Sequence, residues 1–376
     1  MTSYKHLFQR AIAADPERLH FAAHSHHLWP DASWLGHLAA WEDAARLADH
    51  KWGRVMGEIW PAAQRHVADE LHLPDPASVV FAANTHDLLL RIVSAFPAAR
   101  PLRILTSDGE FHSFRRQAAR WEEAGTATVT RVPLADLPAR AAAGGFDLAF
   151  VSQVQFGTGA ILDAAAMAAL AGCARPDGPW VVIDGYHGFM AVETDLSALA
   201  DRVFYLAGGY KYAMAGEGVA FLHAPPGYGA RPAITGWYAE FEDLALPPGR
   251  VGYAPDARRF LGSTFDPSGL YRFVAVRDML ARERLDTRAV GAHCAALRDR
   301  FLAAATLPAE LLNPPSDAGP QARFLALRSP HAAEWQRTLA RHDVITDVRG
   351  DVLRIGFGLY QDARDVDALL AMLARL

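Results

Sequence analysis

The sequence predicts an α/β protein with a mainly parallel, seven-stranded sheet, helices on both faces of that sheet and a small α+β domain at the carboxyl-terminal end. Two observations support this fold class. Apolar runs of strand length alternate with helix-like stretches through most of the 376 residues, and the order of elements changes over residues 287–376. The alternation is typical of parallel sheets, because a crossover connection has to join each pair of parallel strands.

Seven short apolar runs are the predicted strands of the sheet. They are "SVVFAA" (78–83), "LRILT" (102–106), "TATVTRV" (126–132), "DLAFVS" (147–152), "WVVID" (180–184), "RVFYLA" (202–207) and "VAFLHA" (219–224). Helices are predicted after several of these strands, over 85–96, 113–124 and 163–174. Before the first strand, residues 31–52 are predicted to form one amphipathic helix with Asp31 or Ser33 as its N-cap.

The remaining elements suggest three domains. A Pro- and Gly-rich region, 224–256, interrupts the alternation, and a helix near 268–285 follows it. The tail is predicted to contain, in order, a helix, a strand (322–327), a helix (330–341), two strands (343–348 and 351–356) and a helix (362–375). We therefore expect an N-terminal arm and helix (1–50), a large domain (51–286) and a small C-terminal domain (287–376).

Charge and cysteine content narrow the class of protein. The net charge of -5 and the absence of any Lys or Arg run disfavour a nucleic-acid or anionic-membrane surface. Cys173 and Cys294 are too few for a disulfide framework, and the first twenty residues lack the apolar core of a signal peptide. No apolar run approaches the roughly 20 residues that a membrane span needs. We expect a cytoplasmic protein that binds a small, soluble molecule.

Lysine is unusually rare in this sequence. Of 37 basic residues only Lys5, Lys51 and Lys211 are lysines. Lys5 and Lys51 lie among polar, helix-like residues. Lys211 is the only charged residue in "VFYLAGGYKYAMAG" (203–216), where a buried ammonium group would be costly without a function.

Polar or aromatic residues follow several of the predicted strands, where ligands bind in open α/β sheets. Asp184 ends "WVVID", Asn84 and Thr85 start a predicted helix after "VVFAA", Phe111 follows "LRILTSDG", and Lys211 follows "RVFYLAGG". We expect these strand ends to converge on one cleft.

These residue types suit one cofactor. A lysine in an apolar cleft has a lowered pKa and can form a Schiff base with an aldehyde. A carboxylate such as Asp184 can keep a heteroaromatic nitrogen protonated, so that the ring withdraws electrons. Thr85 at a helix N-terminus is suited to a phosphate, and Phe111 could stack on the ring. Together these are the requirements of pyridoxal 5'-phosphate.

The order of Thr85, Phe111, Asp184 and Lys211 resembles that of the class V aminotransferase family, which belongs to the fold type I pyridoxal-phosphate enzymes. "DGYHGF" (184–189) is similar to the family's Asp-x-x-His/Gln motif, and "YKYAMAGEGVAFLH" (210–223) resembles its kynureninase-like branch. The resemblance extends to "SQVQFGTG" (152–159), "GWY" (236–238), "FLGSTFDPSG" (260–269) and "LRIGFGLYQDARDVDALL" (353–370).

The resemblance implies cofactor-binding roles for these residues. Lys211 would form the Schiff base and later move the α-proton of the substrate, and Asp184 would pair with the pyridine nitrogen. Phe111 would stack on the ring, and Gln155 would approach the ring hydroxyl. The residues implied at the phosphate are Thr85 with its neighbour Asn84, Tyr210, His187 and, from the neighbouring subunit of a homodimer, Ser263 or Thr264.

The resemblance also implies a substrate side and a reaction class. Arg354 would bind the substrate α-carboxylate through its bidentate geometry, and Trp237 of "GWY" would line the substrate site. The implied activity is that of a class V aminotransferase acting on an α-amino acid, with kynureninase-like hydrolytic Cβ–Cγ cleavage as the alternative. Sulfur abstraction is disfavoured, because neither Cys173 nor Cys294 lies in a segment that resembles the desulfurase cysteine loop.

The stretch "HFAAHSHHLWP" (20–30) supports two further hypotheses. His24 and His26 resemble the His-x-His zinc ligands of metal-dependent amidohydrolases, which would make the protein a metallohydrolase. That function needs more His and Asp ligands at later strand ends, where the sequence has lysine, threonine and one aspartate. The resemblance places this stretch where kynureninase-type proteins have Asn-Ser-Leu-Gly, so we instead expect His24 and His26 to act in substrate recognition or proton handling, or to be hydrogen-bonded residues of the cleft wall, and we predict no metal site.

A further hypothesis for the whole protein is a relic that binds the cofactor without turnover. The presence of Lys211, Asp184 and Arg354 argues against it.

Overall fold

A seven-stranded sheet forms the centre of the molecule. The computed structural model describes residues 2–241, 247, 249–316 and 319–374. The strands of this sheet are β2 (Val79–Ala82), β3 (Leu102–Ser107), β4 (Ala127–Val132), β5 (Leu148–Ser152), β6 (Trp180–Asp184), β7 (Val203–Gly208) and β8 (Ala220–His223). Their order is β2-β8-β7-β6-β5-β3-β4, and β8 is antiparallel to both of its neighbours. The mainly parallel α/β fold predicted from the sequence is therefore confirmed.

Helices surround this sheet and continue into the tail. Their bounds are α1 (Gln9–Ala14), α2 (Asp31–Leu47), α3 (Lys51–Arg54), α4 (Trp60–Leu71), α5 (Thr85–Ser94), α6 (His112–Glu123), α7 (Leu137–Ala142), α8 (Ala164–Cys173), α9 (Ser268–Arg282), α10 (Thr287–Ala304), α11 (Ala332–Ala340) and α12 (Ala363–Leu373). The sequence did not indicate α1, α4 or α7. Residue 375, where the last predicted helix ends, lies outside the described residues. Among the helices of the described part, none is long and apolar enough to cross a membrane.

A four-stranded antiparallel sheet lies in the tail. It consists of β9 (Glu310–Leu311), β10 (Phe324–Arg328), β12 (Asp347–Arg349) and β13 (Val352–Gly356), in the order β12-β13-β10-β9. The predicted strand 343–348 is wrong as one element. Its first half, β11 (Val344–Ile345), pairs with β1 (Leu19–His20), and its second half belongs to the antiparallel sheet. The chain divides here because the two halves have different pairing partners. The three domain boundaries stay a prediction.

The predicted helix 31–52 is also wrong as one element. The α-helix ends at Leu47, and Ala48, with a positive φ of 47°, begins a short 3₁₀ turn (Ala48–His50) that leads into α3. Asp43 holds the bend, since its carboxylate is 2.8 Å from the Arg54 Nε. Neither proposed cap acts as one, because Asp31 accepts from the Arg10 backbone N–H and the Ser33 hydroxyl donates to the backbone oxygen of the preceding turn.

Candidate active site

A cavity of about 740 Å³ lies at the carboxyl edge of the parallel strands. The ends of β5, β6 and β7 and the beginnings of α5 and α6 line it, as expected for a ligand site in an open α/β sheet. Seven of the residues assigned from the sequence are in its wall: Asn84, Thr85, Phe111, Asp184, His187, Tyr210 and Lys211. The strand ends therefore converge on one cleft, which we call the Lys211 cavity.

The Lys211 ammonium nitrogen lies in largely aromatic surroundings. Its Nζ is 2.9 Å from the His187 Nε2, and it lies over the rings of Tyr186 and Phe111 at 4.8 and 5.5 Å. Burial lowers the pKa of Lys211 to about 7, and the charge of Asp184 opposes this shift. A large fraction of this amine is thus unprotonated at neutral pH, as a nucleophile or base requires.

Asp184 contributes a buried carboxylate to the cavity. It is the last residue of β6, and its Oδ1 accepts a hydrogen bond from the Tyr186 backbone N–H at 2.9 Å. Burial raises the pKa of Asp184 to about 6, against the opposing effects of that hydrogen bond and of Lys211. The carboxylate is available to a positively charged group of a ligand.

His187 contacts the lysine directly. Burial is the largest of the effects that lower its pKa well below the ordinary value, so the imidazole is neutral. Its ring also hydrogen-bonds the backbone of His24. A neutral ring held in this way can accept a hydrogen bond from Lys211 and orient the amine. Tyr186, which the sequence analysis left without a role, closes the other side of the same amine.

The N-terminus of α5 gives the cavity a site for an anion. Asn84 caps this helix, since its side-chain oxygen accepts from the Asp87 backbone N–H at 2.9 Å. Thr85, the first helical residue, lines the cavity. The free N–H groups and the dipole at a helix N-terminus favour a phosphate. Tyr210 lies nearby and stacks on His26 with the ring centroids 4.9 Å apart.

A buried carboxyl group, Glu110, anchors the loop that carries Phe111. It accepts hydrogen bonds from the hydroxyl groups of Ser107 and Ser152, each at 2.5 Å, and from the Ser152 backbone N–H. Burial raises the pKa of Glu110 to about 7. Because Ser107 ends β3 and Ser152 ends β5, Glu110 joins two strand ends directly beneath Phe111. Sequence reasoning missed this role, although an acid after a strand end was a signal for it.

Two glycines of "DGYHGF" allow close packing behind the cavity. A Cβ at Gly185 would lie 2.0 Å from the Tyr205 hydroxyl, and one at Gly188 would lie 2.0 Å from the Gln153 side-chain oxygen. Tyr205 donates a hydrogen bond to that same oxygen at 2.7 Å. Gln153 is buried and therefore holds β7 against the loop after β5.

Arg354 lies in a second cluster, which the tail forms. The residue is buried on β13, where its guanidinium group pairs with Asp347 and donates to the Phe156 backbone oxygen. Asp347 faces Arg354 across the strand pair, and β13 is an inner strand of its sheet. Burial lowers the pKa of Arg354 to about 10, so the group stays charged.

His24 and His26 lie in different surroundings. The His24 ring is fully buried and stacks on Phe324 at 4.8 Å, with its Nε2 3.8 Å from the Asp347 carboxylate. The His26 side chain is 65% exposed and covers Tyr210. In the described part of the chain, no group of three or more His, Cys, Asp or Glu side chains is arranged to hold a metal ion. The structure thus does not bring these two rings together as a ligand pair.

Four other assigned residues lie outside the Lys211 cavity. The amide of Gln155 lines a neighbouring cavity, where it donates to the Ser107 hydroxyl at 3.2 Å. Trp237 is 41% exposed and packs against Tyr238 and Phe241. Ser263 and Thr264 are exposed, and their expected contribution is to a neighbouring subunit.

The residues in the Lys211 cavity fit pyridoxal phosphate. A buried amine with a lowered pKa, a buried carboxylate, a helix N-terminus and an aromatic ring border the same space. The volume of about 740 Å³ is within the range of small-molecule sites. The four chemical requirements derived from the sequence are thus present in one place.

Comparisons with known proteins agree with this fold. The chain is 29% identical over 354 residues to the isopenicillin N epimerase of Streptomyces clavuligerus, with 87% of this chain and 86% of the relative covered. A cystine C–S lyase in complex with its reaction product cysteine persulfide has a TM-score of 0.81, 18% identity and coverage of 97% of this chain and 98% of that one. A variant of that lyase with glycine covalently linked to its pyridoxal-phosphate cofactor has a TM-score of 0.80, 17% identity and 99% coverage of both chains.

No family model matches the sequence. The structural likeness shows that the chain has the α/β fold of the fold type I pyridoxal-phosphate-dependent enzymes. Together with the epimerase, it supports the class V fold family that the sequence motifs indicated. The kynureninase-like branch within that family stays a prediction.

Proposed function

We propose that this protein is a pyridoxal-phosphate-dependent enzyme that acts on an α-amino acid through Lys211. The observation that carries the proposal is the buried Lys211 amine, with its pKa lowered to about 7, in one cavity with Asp184 and the N-terminus of α5. The fold and the relative with 29% identity support it. When bound, the cofactor would supply an electron-withdrawing ring that makes the α-proton of an amino acid acidic.

Each residue of the cavity has a distinct part in this proposal. Lys211 would hold the cofactor aldehyde and, once free, take the α-proton at its Nζ. Asp184 would bind the protonated ring nitrogen, and Phe111 would stack on the ring face. Thr85 and Asn84 would place the phosphate at the start of α5, with Tyr210 beside it. His187, which contacts the Lys211 Nζ, would orient the amine for the proton transfer.

We propose transamination as the reaction. This reaction needs a single base, because the proton taken from the α-carbon would be delivered, on the same face, to the cofactor carbon that had been the aldehyde. Within the described cavity wall Lys211 is the only amine, which makes it the candidate base. Kynureninase-like cleavage of a Cβ–Cγ bond is the alternative that the sequence motifs indicate.

Epimerisation at the α-carbon is a second candidate. The relative with 29% identity is an isopenicillin N epimerase, and its alignment spans most of both chains. Inversion needs a proton donor on each side of the α-carbon, so this candidate requires a second acid opposite Lys211. Cysteine desulfuration has less support, because Cys294 is buried with its thiol directed to the Phe357 backbone oxygen, and neither described cysteine lines the cavity.

A homodimer is part of the proposal. The outer side of α2 exposes four large apolar side chains, Trp34, Leu35, Leu38 and Trp41, with 38 to 68% of each accessible. Such a patch is typical of an interaction surface. A second copy would also allow Ser263 and Thr264 to reach the phosphate of the neighbouring site. Replacement of Leu35 and Trp41 by Glu should convert the protein to monomers in sedimentation experiments, whereas wild-type monomers at micromolar concentration would contradict this part.

The chemistry that all the candidate reactions share is tested by the absorbance of the bound cofactor and by loss of activity in a Lys211 variant. The purified protein with added cofactor should absorb in the visible range, and Lys211→Ala should lose this absorbance and the activity. Lys51→Ala is the matched control, because it removes the lysine of α3, which does not line the cavity. Wild-type protein that binds no cofactor would contradict the proposal.

A panel of amino acids then separates the reactions. Formation of the pyridoxamine form and a keto acid indicates transamination, and anthranilate from L-kynurenine indicates the alternative. Deuterium incorporation with loss of optical activity, without a keto acid, indicates epimerisation.

A further inference from the structure

A second cavity, of about 330 Å³, adjoins the Lys211 cavity and is lined by basic side chains. We call it the basic pocket and define it by His112, Arg115, Gln155, Thr158 and Arg349. Of the residues that the structure describes, no aspartate or glutamate lines it. Neither of its arginines has a part in the proposed chemistry at Lys211.

One aromatic residue connects the two cavities. The Phe156 ring is in edge contact with Phe111, a wall residue of the Lys211 cavity, with the centroids 5.4 Å apart. The same ring lies 5.2 Å from the ring of His112 in the basic pocket. The Phe156 backbone oxygen accepts a hydrogen bond from Arg354. Phe156 thus lies between the two cavities, in contact with a wall residue of each.

The charges in and beside the basic pocket do not cancel. One acid, Asp347, contacts the arginines in and beside the pocket. Its carboxylate pairs with Arg349, at 3.1 Å, and with Arg354. Arg115 donates to the His112 Nδ1 at 2.7 Å, and among the described residues it has no carboxylate partner. Slight burial, followed by the charges of Arg115 and Arg349, lowers the pKa of His112 from its usual value. The guanidinium groups of Arg115, Arg349 and Arg354 are thus accompanied by one carboxylate, that of Asp347.

We propose that the basic pocket binds the distal acidic group of the amino-acid substrate, so that the preferred substrates are α-amino acids with a second carboxylate. Guanidinium groups recognise carboxylates by paired, charge-assisted hydrogen bonds. Arg115 and Arg349 supply such donors, and the Thr158 hydroxyl lines the same pocket. This inference rests on the proposed function, because it places the α-carbon at Lys211.

The test compares acidic with neutral amino acids on the holoenzyme. L-aspartate, L-glutamate and L-2-aminoadipate are measured against L-alanine and L-norvaline, by the change in cofactor absorbance and by kcat/KM. We expect at least one acidic member to exceed the neutral ones about 10-fold or more. Its selectivity ratio over L-norvaline should fall about 10-fold in Arg115→Gln or Arg349→Gln. Equal use of acidic and neutral amino acids would overturn the inference.

Arg328→Gln is the matched control for Arg349→Gln. Both arginines belong to the four-stranded sheet, both form an ion pair, and their side chains are 46 and 44% exposed, but Arg328 does not line the basic pocket. The control should keep the wild-type selectivity ratio. A similar loss in this variant would mean that general charge, and not the pocket, determines selectivity, and would also overturn the inference.

A binding measurement separates this inference from the proposed function. Glutarate, a dicarboxylate without an amine, is titrated calorimetrically into the purified holoenzyme. Binding that weakens in Arg349→Gln but not in Arg328→Gln supports the basic pocket even if no amino acid reacts. If neutral amino acids change the cofactor spectrum while glutarate does not bind, the proposed function holds and the inference fails.

Discussion

The Lys211 cavity and the Arg354 cluster are built in different ways. The cavity consists of residues at the ends of parallel strands, so Asp184 and Lys211 meet because their strands end at one edge of the sheet. The Arg354 cluster depends on the pairing of antiparallel strands, in which Asp347 lies directly opposite Arg354. The first region uses the topology of the chain, and the second uses the register of two strands. We assign cofactor chemistry to the first and substrate recognition to the second.

Removal of the cavity carboxylate should have the largest effect. Asp184→Asn would leave the cofactor ring nitrogen without its anion, and kcat/KM should fall about 1000-fold, within the range of such electrostatic contributions. The absorbance of bound cofactor should also change. Asp195→Asn, at an exposed loop position, is the control. Normal turnover in Asp184→Asn would remove the distinction between the two regions.

The pH dependence of the free energy of unfolding should reveal the protonation of the Glu110 carboxyl group. Its pKa is about 7 in the folded protein and 4.5 ordinarily, so the folded state binds more protons between these values. The stabilisation by this group is complete below pH 4.5 and is lost as the pH rises through 7. Urea unfolding of wild type and Glu110→Gln should therefore differ by a free energy that falls by about 3 kcal/mol over this interval. A constant difference would contradict the buried, protonated carboxyl group.

Breaking the cross-strand pair should separate substrate from cofactor effects. Asp347→Asn leaves the buried Arg354 without its carboxylate partner and should lower the free energy of unfolding by about 2 kcal/mol. Bound cofactor should keep its absorbance, and the KM for an amino acid should fall, because a competing carboxylate is absent. Loss of cofactor in this variant would show that the cluster also supports the Lys211 cavity.

The smallest effect is expected at the exposed histidine. His26→Ala removes a ring that covers Tyr210, and it should change the free energy of unfolding by less than about 0.5 kcal/mol. The KM of this variant for an amino acid should change severalfold, and the absorbance of the bound cofactor should stay as in the wild type. His24→Ala should instead lower stability, because its ring is buried against Phe324. Equal effects of the two substitutions would contradict their different surroundings.

The sequence predicted the strands and the cavity better than the tail. The seven strands of the large sheet were visible as separate apolar runs, and strand ends in a parallel sheet must share an edge, so Asp184 and Lys211 could be placed together. The split of 343–348 into two short strands could not be predicted, because it depends on pairing partners far away in the chain. The break of the helix after Leu47 likewise depends on the Asp43–Arg54 ion pair, which local pattern does not reveal.

The basic pocket shows the same limit at the level of a site. Arg115 and Arg349 are 234 residues apart in the sequence, and each is typical of an exposed surface when considered alone. Their common cavity arises because Phe156 lies between α6 and the four-stranded sheet. Glu110 could be predicted in part. The sequence shows that it follows a strand, but it does not show that its two serine partners lie on different strands.

The central claim is that the Lys211 amine carries the cofactor. Reduction of the holoenzyme with borohydride, followed by peptide mass spectrometry, fixes and locates a cofactor that is bound through an amine. We expect the cofactor mass on the peptide that contains Lys211 and none on the peptides of Lys5 or Lys51. A label on another residue, or no label in protein that has bound cofactor, would contradict it.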